Sequence, residues 1–229
     1  MNKVRFFISV LFLPAVIVLV YDFCKLFFSF AGETDINIVP FWLGIIVYIL
    51  FQIIFFKPME TYVFGHEFTH AIVGIISGAK IKKFKVSRNG GSVSLTKDNV
   101  FITLSPYFVP LYTLAIIIIY YCLLGWFFDI SKLRSYFLFF SGISLAFHYA
   151  LTFYALRIGQ EDMRVYGKFF SFFFVSFVNI VVLILVLTLI FPEVIDIRNF
   201  FSSVSADIMY IYKYIFTGVY KCLVFLKTK

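Results

Sequence analysis

Charge is scarce in this chain: Asp, Glu, Lys and Arg make up 14% of its 229 residues. Soluble domains carry about 25%, because water must be faced on all sides, so an ordinary soluble globule is excluded. Cysteine is scarce too. Cys24, Cys122 and Cys222 are far apart and form no CxxC pair. That excludes a disulfide framework and a cysteine-based zinc site, and leaves the three as small apolar fillers. No internal repeat and no low-complexity linker divides the chain. Histidine occurs only three times, at 66, 70 and 148.

What is present is apolar surface. Hydrophobic residues make up 62% and aromatics 22%, with 34 Phe and a mean hydropathy of +0.98. Such a composition belongs in a bilayer, with Phe facing lipid and its interfaces. The net charge is +8. The basic residues flank apolar runs, which fits anionic headgroups and gives no nucleic-acid footprint.

Apolar runs place spans near 6–28, 37–56, 60–78, 100–124, 135–157 and 169–191. The start, Met1-Asn2-Lys3-Val4-Arg5 before an apolar run, resembles a signal peptide but lacks a small-x-small cleavage site, so it reads as a retained first span. Pro14 is placed to kink that span, and Lys57-Pro58 separates the second from the third. The stretch 80–98 alternates, with Ile81 to Val86 and Val93 to Leu95 flanking Asn89-Gly90-Gly91, and reads as a β-hairpin. Pro106 and Pro110 sit early in the fourth span and free backbone groups that need partners. Beyond Pro192, apolar residues from Phe201 to Leu226 recur at helical spacing, predicting an amphipathic helix in the interface. The expected fold is an all-α multi-pass membrane protein with about six transmembrane helices, a short membrane-associated β-hairpin and a C-terminal amphipathic helix. Its bundle spans 1–197 and its tail 198–229, with the oligomeric state left open.

His66-Glu67-Phe68-Thr69-His70 reads HExxH inside the third apolar run. Residues four apart share a helix face, so the two histidines can grip one metal ion while Glu67 acts on a water beside it. With three His and five Glu in the chain, the motif arises by chance in roughly one such sequence per thousand. Ionisable groups are costly in hydrocarbon and rarely sit there without a role. The residue types favour Zn2+. Gly74-x-x-x-Gly78 follows on the same helix, either as a close-packing face or as a helix end.

A catalytic zinc takes three protein ligands and keeps one position open. Asp162, just past the Gly159 break after the fifth span, is the expected third ligand, with Glu161 as its rival. His148 reads as a ligand, an oxyanion donor or a hydrogen-bonded core group. Asn179 reads as lining the site or bonding a neighbouring helix. Gly90 and Gly91 mark where the hairpin comes near substrate. The chemistry predicted is hydrolysis of a peptide bond in a locally unwound, membrane-anchored protein or peptide, with Glu67 carrying the proton.

Gly65-His66-Glu67-Phe68-Thr69-His70-Ala71 and the exit Gly78-Ala79-Lys80-Ile81-Lys82-Lys83-Phe84 resemble the metal-binding helix and hairpin of the site-2 protease family of intramembrane zinc metallopeptidases. The resemblance implies His66 and His70 as zinc ligands and Glu67 as catalytic base. It also implies a membrane-anchored substrate and a bacterial-type inner membrane or an internal membrane. The family's aspartate lies in an LDG motif; here Gln160-Glu161-Asp162-Met163 stands in its place. Two competing readings are a non-catalytic multi-pass scaffold and a metal transporter. The latter calls for more polar residues along several spans.

Overall fold

The computed structural model describes residues 3–31, 38–55, 58–87, 90–127 and 129–227. Of the positions named above, Met1, Asn2, Lys57 and Asn89 lie outside these. The described chain is helical apart from one hairpin. It runs α1 (Lys3–Ala31), α2 (Val39–Ile54), α3 (Met59–Ile76), β1 (Ile81–Ser87), β2 (Gly90–Leu95) and α4 (Val100–Leu104). A 3-10 turn at Ser105–Tyr107 leads to α5 (Leu111–Ile118), which continues as π-helix over Ile119–Leu124 and ends in α6 (Gly125–Phe127). Then follow α7 (Arg134–Ile158), α8 (Glu161–Val165), α9 (Lys168–Ile190) and α10 (Ile197–Lys227).

Among the described residues, three stretches are long and apolar enough to cross a membrane: Val10–Ser29, Ile130–Ile158 and Lys168–Ile190. A fourth exists if Val100–Tyr107 and Leu111–Cys122, bent by 81° at their junction, are one broken span. This is a membrane protein with a helical body. α2, at 16 residues, is shorter than the roughly 20 that a perpendicular crossing takes.

The helices are held by close approach rather than by escape from water, because lipid is as apolar as leucine. A Cβ on Gly44 of α2 would lie 2.1 Å from the Phe139 carbonyl oxygen of α7. One on Gly142 of α7 would lie 2.1 Å from the Phe41 carbonyl oxygen of α2. The two backbones therefore touch at reciprocal glycines. Phe41, Phe137, Leu138, Leu145 and Ile190 fill the core around that contact. The final helix is amphipathic, and it folds back on the bundle: Phe200 and Val204 pack with Leu19 of α1 and Ile184 of α9. Tyr212 then donates a hydrogen bond to the Leu11 carbonyl, so contacts run in opposite directions along α1 and α10.

The hairpin pairs antiparallel, from Ile81 opposite Leu95 to Ser87 opposite Gly90, with an irregularity between Ile81 and Lys83. It lies along α3. Gly74 faces Leu95 of β2, whose Cδ1 would be 2.6 Å from an added Cβ. Gly78 sits at φ +76 just past the helix end. There the Gly78 amide bonds the Ile75 carbonyl and the Ala79 amide bonds the Gly74 carbonyl, a Schellman closure. Of the two uses open to this pair, Gly78 serves as the helix end, and Gly74 admits the hairpin rather than another helix.

Candidate metal centre

α3 carries three stripes, each facing a different neighbour. Phe64 and Phe68 stack on one another and meet Phe84 of β1 edge-on. Val63 and Glu67 face β2 at Gly91, where an added Cβ would lie 2.9 Å and 2.4 Å from their side chains. Tyr62, His66 and His70, at spacing of four, face the segment around α8.

The elements that follow bring Asp162 to this third stripe. α7 ends at Gly159, whose φ of +70 is the left-handed cap that lets the chain turn sharply. Asp162 then lies in the first turn of the short α8. Its Oδ2 stands 3.1 Å from His66 Nε2 and 3.6 Å from His70 Nε2. Two donors bound at about 2.05 Å in a tetrahedral zinc site lie about 3.3 Å apart. The ligand atoms of His66, His70 and Asp162 all fall within 4.8 Å of one another, and the group could hold a metal ion.

The donor set is prepared by its surroundings. His70 Nδ1–H donates to the Ile102 carbonyl at 2.7 Å, which leaves the Nε2 lone pair for a metal ion. That carbonyl, which also accepts from Ser105 Oγ at 2.9 Å, lacks a helical amide partner for a reason written in the sequence. In a continuing helix its partner would be the amide of residue 106, and Pro106 has none. The Tyr107 hydroxyl lies 3.0 Å from Asp162 Oδ2 and 2.8 Å from Gln160 Oε1, its one proton shared between the two acceptors, and Gln160 Nε2 donates to Tyr62 Oη at 3.3 Å. Burial acts to raise the Asp162 carboxyl, but hydrogen bonds and charge from His66 and His70 outweigh it. The group is held well below the usual carboxylate range, ionised and ready as a ligand.

Glu67, nearly buried, borders the same cavity and accepts a hydrogen bond from the Val93 backbone amide. The cavity encloses about 590 Å³ and is walled by α3, β2, Ile102–Thr103 and Gln160–Asp162. Gly90 and Gly91 line it as the first residues of β2. Glu161 also borders it, but its carboxylate is exposed and paired with Arg164 at 2.9 Å, apart from the ligand group. Asn179 stands away from the cavity on α9 and donates to the Tyr107 carbonyl at 2.8 Å, tying two helical segments together. His148 does not border this cavity; it lines a small separate one, which His66 also lines and Asp162 does not.

Sequence reasoning missed Tyr107, Gln160, Tyr62 and the Ile102 carbonyl. The signal for the last was Pro106. Comparison with protein-family models, with curated proteins and with solved structures gives no match for this chain.

Proposed function

We propose that the chain is a membrane-embedded zinc metalloendopeptidase of the site-2 protease type, cutting membrane-anchored protein substrates within or near the bilayer. The observation that carries this reading is the Asp162 carboxylate, 96 residues from His66 in sequence and 3.1 Å from it in space. Three donors, an adjacent glutamate and a cavity form the arrangement a hydrolytic zinc site needs. The reading takes the apolar segments as about six crossings, with α2, α3 and the broken α4–α5 pair completing the three long helices. It places the protein in a bacterial-type inner membrane.

A zinc ion at His66, His70 and Asp162 would supply Lewis acidity, polarising the scissile carbonyl and acidifying a water. The chain's own groups do the rest. Glu67 takes the water proton and returns it to the leaving amine. The Val93 amide and Gly91 hold the Glu67 side chain against β2. A helical substrate must unwind to expose a carbonyl, and an unwound segment can add as a strand to the two-stranded sheet beside the cavity.

The test compares wild type with Glu67→Gln. The expected outcome is equal zinc content after purification in mild detergent, with an uncut membrane-anchored protein accumulating only in cells producing the variant. Zinc in both without any processing difference would move the reading to a scaffold. Metal flux into liposomes that survives Glu67→Gln but not His70→Ala would move it to a transporter.

A further inference from the structure

Behind the metal centre is a cavity of about 30 Å³ between α3, α5 and α7. Its lining includes Gly65, His66, Thr69, His148 and Thr152. A single ordered water takes roughly 10–15 Å³ measured this way and wants two to four polar partners. The cavity has the room, and it has the partners. His66 Nδ1 and His148 Nε2 are both buried without a protein hydrogen-bond partner among the described residues. Two buried ring nitrogens without partners, on residues that line one small cavity, are costly to leave unbonded.

The chemistry of ligation sharpens this. A histidine that binds metal through Nε2 carries its proton on Nδ1, and that N–H is nearly always donated to a neighbour. For His70 the neighbour is the Ile102 carbonyl. For His66, whose Nε2 faces Asp162, no protein group among the described residues plays that part.

We infer that an ordered water in this cavity joins the two histidines, accepting from His66 Nδ1–H and donating to His148 Nε2, and that His148 is thereby a positioning residue of the metal centre. The inference rests on the metal-centre reading above. It places a residue of α7 in the support of a ligand on α3 without contact to the metal. The water fixes the His66 tautomer and its ring orientation, as the Ile102 carbonyl does for His70.

The test is the zinc affinity of the full chain in mild detergent, by competition with a chromophoric chelator. It compares wild type, His148→Phe and His148→Gln. Phe fills the same space without an acceptor, whereas Gln keeps an acceptor oxygen. The expected result is zinc binding 10–100-fold weaker for His148→Phe, most of it recovered in His148→Gln. Equal affinity in wild type and His148→Phe would overturn the inference and leave the metal centre standing. So would an equal loss in both variants, which marks a merely structural role. No zinc binding by wild type would instead sink the metal centre itself. If His148→Phe fails to fold, nitrogen-15 imidazole spectra of the zinc-loaded wild type decide alone. An unprotonated His148 Nε2 whose shift shows an accepted hydrogen bond supports the water link, and a protonated His148 Nε2, which has no lone pair to accept with, refutes it.

Discussion

Gly91→Ala should separate metal binding from catalysis. The new methyl would sit 2.4 Å from Glu67 Cγ, 3.0 Å from Glu67 Cδ and 2.9 Å from Val63 Cγ1. Ordinary contact begins at 3.4 Å, so hairpin and glutamate must part by at least 1.0 Å. Gly91 is not at positive φ, so the backbone accepts alanine and the whole effect is this collision. A misplacement of about 1 Å in a catalytic group costs on the order of 100-fold in rate, or about 2.7 kcal/mol of barrier. The strain costs about 1–3 kcal/mol of stability. His66, His70 and Asp162 are not in the collision, so zinc content should stay at the wild-type level. The assay is turnover, in detergent, of the membrane-anchored protein that accumulates with Glu67→Gln, with zinc measured on the same preparation. Wild-type turnover by Gly91→Ala would refute the placement of Glu67 against the hairpin. Loss of zinc in parallel with activity would refute the separation of the two roles.

Two further predictions follow from the same geometry. Tyr107→Phe removes the hydroxyl that bonds both Asp162 and Gln160, and should weaken zinc binding by about 10–100-fold while leaving the detergent melting curve of the metal-free protein nearly in place. Gly142→Ala drives a methyl into the Phe41 carbonyl 2.1 Å away and should lower stability by about 1–3 kcal/mol or more, read as an earlier melting transition with unchanged zinc affinity in the surviving folded fraction.

What was legible in the sequence was whatever one segment decides alone. HExxH, the hairpin pattern around Gly90 and Gly91, the apolar runs and the amphipathic final helix each depend on local periodicity. The structure places helices or strands at each of them. Asp162 could be named before the fold was seen because a glycine break and an acidic pair stood after a span of suitable length. The tertiary contacts were not legible. Gly44 and Gly142 lie in different helices and show their purpose only when the backbones touch. Gly74 sits in a small-residue pattern, yet its neighbour is a strand. Tyr107 is one of 15 tyrosines, and nothing in its surroundings marks it as the residue that bonds Asp162. The freed carbonyls of the Pro106 region were foreseeable as a class. Which histidine would use one was not.

Asp162 also has a mechanical meaning. It stands on a five-residue helix between α7 and α9, whereas His66 and His70 belong to α3. An ion shared among them would be a clasp closing a loop of 96 residues across the body of the protein. Binding energy then counts toward holding the halves together, as in any metal-coupled fold. Were that ion zinc, each tenfold rise in free zinc above the dissociation constant would add about 1.4 kcal/mol of resistance to unfolding. The melting temperature of this protein would thus report the zinc supply of its surroundings. In a metal-starved membrane, the clasp between α3 and α8 would be the first tie to open.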